Sequence, residues 1–228
     1  INASGMAART ATTAGFTLTG GAHTKAQTFT GSSGADTWKA GTKADTIDMG
    51  AGNDTVTMNT GADTIAGGTG TDTLITNTTQ VAADIEGAGT GTSTGLVINA
   101  TTAAVSAATV LANTTTAGTA AYLASGLSSV PAGTVAYNYG GSLSTNSGAT
   151  TTISGFETYT LSSNGVNAVY LGDGAQTVTG GTGKDFIKTG AGDDTVNASA
   201  GTDNIDLGSG NDVFRLAEVA AIETVNAV

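Results

Sequence analysis

Asp36, Asp45, Asp54, Asp63 and Asp72 recur every nine residues, and the period returns with Asp185, Asp194, Asp203 and Asp212. One aspartate beside a glycine is an ordinary turn residue, but turn chemistry alone does not hold aspartate to a fixed period. Glycines between the acids allow positive-φ turns that aim backbone carbonyls at a common point. Carboxylates and carbonyls together make an all-oxygen donor set. That set suits calcium, a hard cation that takes roughly six to eight oxygens at about 2.3–2.6 Å. Other chemistries are poorly supplied. His23 is the only histidine and there are 0 cysteines, so a two-histidine zinc helix, a Ser-His-Asp triad, a thiolate metal site and a disulfide framework are all excluded within the chain.

The elements that position these acids show in the same repeat. Two residues after each aspartate comes an apolar residue: Trp38, Ile47, Val56, Ile65 and Leu74, then Ile187, Val196, Ile205 and Phe214. In a three-residue strand the side chains alternate, so only the central one faces inward, which accounts for one compulsory apolar position per repeat. A matching segment leads into each array, Ala26-Gln27-Thr28-Phe29-Thr30-Gly31 and Ala175-Gln176-Thr177-Val178-Thr179-Gly180, with glutamine where aspartate is due. The module reads as duplicated.

Gly67-Gly68-Thr69-Gly70-Thr71-Asp72-Thr73-Leu74-Ile75 and Gly180-Gly181-Thr182-Gly183-Lys184-Asp185-Phe186-Ile187-Lys188 are complete copies of Gly-Gly-x-Gly-x-Asp-x-(large apolar)-x. Met49-Gly50-Ala51-Gly52-Asn53-Asp54-Thr55-Val56-Thr57 lacks only the first glycine. This resembles the calcium-binding nonapeptide of the RTX family. The resemblance implies an all-β fold, a parallel β-roll or β-solenoid in which six residues turn, three form a strand, and two repeats complete one coil. Asp36, Asp54 and Asp72 would then stack along one edge, and Asp45 and Asp63 along the other. Calcium is expected between Asp36 and Asp54, Asp54 and Asp72, Asp45 and Asp63, Asp185 and Asp203, and Asp194 and Asp212. Gln27 and Gln176 are candidate amide donors to sites shared with Asp45 and Asp194. Lys43 stands in the turn before Asp45 where the family has glycine, so that site is expected to be weak, whereas Asn59, which replaces glycine before Asp63, tolerates the left-handed turn better than most residues. Asp48, Asp173, Asp193 and Asp206 are extra acids, read as outer ligands or solvated charge.

The expected organisation is an undetermined lead-in over residues 1–21, a first array over 22–86, an intervening Thr/Ala/Gly-rich β segment over 87–170, a second array over 171–215, and the start of a following module over 216–228. The alternating stretches Val135–Tyr139 and Val166–Leu171 read as strands that continue the solenoid or pack against it. Alanine-rich residues 101–112 and 119–127 read as short helices. Ile85-Glu86, Phe156-Glu157 and Ile222-Glu223 form a smaller echo, read as an apolar residue closing the roll with glutamate available to the terminal turn.

A formal net charge of −11 disfavours nucleic acid and anionic lipid as partners. No apolar stretch is long enough to suggest membrane insertion. The threonine- and alanine-rich filler, the duplicated module and the scarcity of lysine resemble RTX-type surface-layer proteins of Gram-negative bacteria. The expectation is a non-catalytic, calcium-binding structural region of a secreted, self-assembling cell-surface layer protein. Its partners would be other copies of itself and, through regions outside this chain, cell-surface polysaccharide. The alternative is the C-terminal calcium-dependent folding and secretion domain of a type I-secreted enzyme, toxin or adhesin.

Overall fold

A computed structural model describes residues 15, 17–19, 25–41, 43–58, 61–76, 95–114, 129–139, 142–144, 151–161, 167–216 and 224–227. The expected helix over 119–127, His23, Asn59, Ile85-Glu86 and Ile222-Glu223 lie outside these residues.

The short strands of the repeats build two sheets that share one core. The first sheet runs, in spatial order, through β1 (Thr17–Thr19), β3 (Thr37–Lys39), β5 (Thr55–Thr57), β7 (Thr73–Ile75), β14 (Thr158–Thr160), β16 (Thr177–Thr179), β18 (Thr195–Ala198) and β20 (Val213–Leu216). The second begins with β2 (Thr28–Thr30), β4 (Thr46–Asp48), β6 (Thr64–Ala66) and β13 (Thr151–Ser154). It continues through β11 (Thr134–Tyr139), β8 (Gly95–Asn99), β15 (Asn167–Tyr170), β17 (Asp185–Lys188), β19 (Asn204–Gly208) and β21 (Thr224–Ala227). The architecture is the expected parallel β-solenoid. Within the arrays every pairing is parallel and advances one coil, as in Thr37 opposite Thr55 opposite Thr73, and Thr28 opposite Thr46 opposite Thr64.

The one-inward rule is visible strand by strand. In β2, β4 and β6 the outer residues Thr28, Thr46 and Thr64 are exposed, while Phe29, Ile47 and Ile65 are buried. Trp38, Val56, Leu74, Val178, Ile187, Val196 and Ile205 complete the interior, and Phe214 packs against it half-covered. Phe29 and Trp38 stack with ring centroids 4.4 Å apart.

The intervening segment is part of the solenoid. On the first sheet a single strand, β14, bridges the arrays, with Thr73 opposite Thr158 and Thr158 opposite Thr177. On the second sheet four strands lie between β6 and β17, and β11 runs antiparallel to both β13 and β8. Since β13 and β15 are coil mates of β14 and β16, only β11 and β8 have no counterpart in the first sheet, and at about 4.8 Å per strand the second sheet extends roughly 10 Å farther across the junction. Beside this mismatch a cavity of about 460 Å³ opens, lined in part by Tyr159, Glu157, Leu171, Asp173 and Gln176.

An excursion covers the outer face of the second sheet here. The helix α1 (Ala107–Thr114) and the antiparallel pair β9 (Val105–Ser106) and β10 (Ser129–Val130) pack through Ala107, Val110 and Val130 onto Val97, Ala136, Ala168, Tyr170 and Phe186. The helix expected over 101–112 thus begins six residues late, because Thr101–Ala103 are held by the side chain of Asn99. Asn99 is fully buried and donates to the carbonyls of Ala103, Val130 and Pro131. The strand β12 (Ser142–Ser144) pairs with β11.

Candidate metal centre

Each aspartate sits where a turn enters a strand, so the coil repeat stacks the acids in two columns. On the edge leading into the first sheet, the backbone N–H of Asp36 donates to Asp54 Oδ1 at 2.6 Å, and that of Asp54 to Asp72 Oδ1 at 2.8 Å. Asp194 N–H donates to Asp212 Oδ1 at 2.9 Å in the second array. On the opposite edge Asp45 N–H donates to Asp63 Oδ1 and Asp185 N–H to Asp203 Oδ1, both at 2.8 Å. The structure therefore brings together all five pairs expected from the repeat.

One carboxylate oxygen in each pair is occupied by the neighbouring coil, which leaves the other to be accounted for. Asp36 Oδ2, Asp45 Oδ2 and Asp185 Oδ2 accept the N–H groups of Ser32, Gly41 and Gly181 in their own turns. The Oδ2 atoms of Asp54, Asp63, Asp72, Asp194 and Asp203 are buried and have no hydrogen-bond partner. A buried carboxylate oxygen without a partner is costly. A cation between the coils would satisfy it, so the donor set fits calcium. Among the described residues no three acidic or histidine side chains converge, so the remaining ligands would have to be backbone carbonyls and water, which calcium accepts readily.

Burial also raises the affinity of these carboxyls for protons. Asp63 and Asp185 are each pushed up to about 7, chiefly by desolvation, with the charge of Asp45 or Asp203 adding to the effect and hydrogen bonds opposing it. Asp54, Asp72, Asp194 and Asp203 are raised in the same direction, again mainly by burial.

Glycine builds the turns by allowing the coils to touch. On the edge of Asp54 and Asp72, Gly68 has φ +106°, and a Cβ there would fall 2.0 Å from the carbonyl oxygen of Gly50 in the preceding coil. The second array repeats the contact at Gly208, where a Cβ would fall 1.7 Å from Gly190 O. The opposite edge is less regular. Lys43 is exposed there, and its carbonyl lies 2.5 Å from the position a Cβ on Gly61 would take.

Gln27 and Gln176 occupy the first column positions, with backbone N–H groups donating to Asp45 Oδ1 and Asp194 Oδ1 at 2.8 Å. Their side-chain Oε1 atoms are buried without a partner, while their Nε2 atoms donate outward to Lys25 O and Asp173 O. Of the extra acids, Asp206 pairs with Lys188, Asp193 accepts from the N–H of Asn211, and Asp48 and Asp173 are exposed.

Three column residues escape a reading based on the repeat. Glu157 takes the aspartate position ahead of β14 and accepts Asp72 N–H on Oε2 at 2.8 Å. The inward residue of that unit is Tyr159, and Phe156 precedes the column. Thr151 meets Asp63 N–H with its hydroxyl. Asn167 donates from Nδ2 to Asp185 Oδ1. The signal for Glu157 was the triplet Glu-Thr-(apolar), which matches Asp-Thr-(apolar) once the preceding turn is allowed to be short.

Residues 30–57, 57–78 and 179–214 match the family model of the RTX calcium-binding nonapeptide repeat (4 copies). All nine column aspartates fall inside the matched residues, whereas Gln27, Glu157 and Gln176 fall outside them. The chain matches no curated protein and no solved structure.

Proposed function

From the RTX calcium-binding repeats that the chain carries, we propose that it is a structural region of a secreted, self-assembling bacterial cell-surface layer protein. The calcium-binding, structural part of this statement follows from the repeats and their solenoid, and RTX repeat proteins are typically exported by type I secretion. The layer role is the further step. Calcium would supply positive charge between stacked carboxylates, and the chain's part is to hold those carboxylates in line.

The observation that carries the layer reading is the continuity of the solenoid through the segment between the arrays. β14 and β15 join the two arrays into one body whose sheets, among the described residues, end in strands bonded on a single side. Unpaired strand edges are templates for association with further strands. A non-catalytic role is part of the proposal, supported by the use of most array acids in the columns. Association through these ends with other copies, and with cell-surface polysaccharide through regions outside this chain, completes it.

Electron microscopy of the full-length protein in millimolar calcium should show ordered sheets or fibres that disperse on chelation. A full-length protein that stays monomeric at high concentration would favour the second reading, a calcium-dependent folding and secretion domain of a type I-secreted enzyme, toxin or adhesin. The repeats themselves favour that reading equally.

A further inference from the structure

We propose that the junction between the arrays is a cation site in its own right, holding one hard cation of the calcium type between Asp72 and Glu157. It rests on the reading of the arrays as calcium-binding but uses residues beyond the repeats.

The column has several kinds of terminus. Gln27, Thr151, Asn167 and Gln176 place a neutral amide or hydroxyl where the aspartates stop. Among the described residues, only where the first array stops, at Asp72, is the next member a carboxylate from outside the repeats, that of Glu157. Two acids in one rung repel unless something positive lies between them. No lysine or arginine does so, since the one ion pair among the described residues is Lys188 with Asp206.

Asp72 itself points to a ligand. It is wholly buried, and its Oδ2 has no hydrogen-bond partner. That oxygen and the carbonyl oxygen of Gly155 converge beside Gly67, lying 2.9 and 2.0 Å from the point a Cβ there would occupy. The carbonyl of Gly68 lies 3.1 Å from the corresponding point on Gly155. The Asp72 carboxylate and the Gly155 carbonyl thus face one point, with the Gly68 carbonyl close to Gly155 and the Glu157 carboxylate bonded to the Asp72 N–H, and every one of these donors is an oxygen, which suits calcium and offers nothing to a soft metal.

The turn that brings Glu157 into the column explains how an ion would enter. Residues 155–157 connect β13 to β14 in three residues, half the six of a repeat turn. The short turn leaves the 460 Å³ cavity beside it, with Gly155 and Glu157 among its walls. Water can therefore complete the coordination shell. An ion here also has a structural consequence: the carbonyl of Glu157 accepts the N–H of Thr177 at 2.8 Å, so fixing Glu157 fixes the first strand of the second array.

The test is a count of bound calcium on the folded 228-residue chain, by equilibrium dialysis with metal analysis, for the native protein and Glu157→Gln. The variant should bind one ion fewer per chain while circular dichroism shows the arrays still folded. An unchanged ion count and unchanged affinities would overturn the junction site and leave the array reading intact. Because Glu157→Gln could fail to fold, anomalous diffraction from native crystals grown in calcium provides a second measurement. A peak bonded to both Asp72 and Glu157 supports the proposal. Peaks along the arrays with none at the junction overturn it, and no bound calcium anywhere overturns the array reading together with it.

Discussion

At the scale of single residues, the columns make unequal partners of aspartates that look alike in the repeat. Asp54 accepts from Asp36, donates to Asp72 and keeps one oxygen without a partner, so it faces a neighbour on each side. Asp36 satisfies Oδ2 from its own turn through Ser32. Asp54→Ala should therefore shift the midpoint of calcium-induced folding to higher calcium by more than Asp36→Ala does. Equal midpoints in parallel titrations followed by circular dichroism would speak against the stacked columns. Protons act on the same groups with a definite sign. Because the folded pKa values of Asp63 and Asp185 lie near 7, above the unfolded carboxyl value of 3.8, the calcium-free fold gains stability as pH falls from about 7 toward 4 and loses it as pH rises through about 7. Thermal melts in chelator should rise between about pH 8 and about pH 5, and with calcium present this gain should shrink or reverse because protons then compete with the ion. A calcium-free midpoint that falls on acidification would contradict the burial of these acids. The glycines differ just as sharply. Gly68→Ala meets the backbone of the preceding coil as well as an unfavourable φ and should cost about 3 kcal/mol or more. At Gly133, with φ +63° and its nearest contact at 3.2 Å, alanine should cost about 1–2 kcal/mol. Chemical denaturation in saturating calcium separates the two. The nine column aspartates were legible because a fixed spacing repeats the same environment. Thr151 and Asn167 were not, because the turns before them break the spacing and no local signal restores it, while Glu157 was legible only as a glutamate available to a terminal turn, since the short turn before it hides its column position.

At the scale of elements, a three-residue strand carries almost no stability of its own, and one inward side chain per strand must hold it. Trp38 is 2% exposed and stacks on Phe29, so it secures strands of both sheets at once. Trp38→Ala should destabilise the calcium-loaded protein by about 3–5 kcal/mol, the usual range for removing a large buried aromatic. Thr37→Ala, one residue away on the outer face, should change stability by less than about 0.5 kcal/mol. Similar losses for both in denaturant unfolding would mean that the interior is not continuous at this rung. The alternation of inward and outward residues is what made the array strands readable. Between the arrays the same alternation identified Val135–Tyr139 and Val166–Leu171 as strand, yet it could not say which strands they join. The pairing of Gly95–Asn99 antiparallel to Thr134–Asn138 is set by contacts far apart in sequence, and a sequence carries no short-range mark of such a partner. The helix boundary failed for a local reason, since the side chain of Asn99 captures the residues that alanine content alone assigned to helix.

At the scale of the whole molecule, the arrays are separated by about a hundred residues of sequence but by one strand of the first sheet. In a solenoid each coil is stabilised mainly by its neighbours, so an interface that is strong in every rung propagates folding through it. Here β14 supplies that interface on both sides, pairing in register with β7 of the first array and β16 of the second. Calcium binds only where columns exist, and binding to the folded state alone draws the population toward it by mass action. Extracellular calcium modules typically bind at about 10⁻⁴–10⁻³ M, which would leave residues 31–75 and 180–215 largely unfolded at low calcium and folded after export. Because the junction ties the two regions together, they should fold in one transition as calcium is raised. Circular dichroism and protease resistance should share a single midpoint, and Trp38 fluorescence, which reports only on the first array, should follow the same curve. Two separated midpoints would show that β14 fails to couple the arrays. Unchanged circular dichroism and protease resistance after exhaustive chelation would show instead that the columns hold together without an ion, and with it the calcium requirement for folding would be lost.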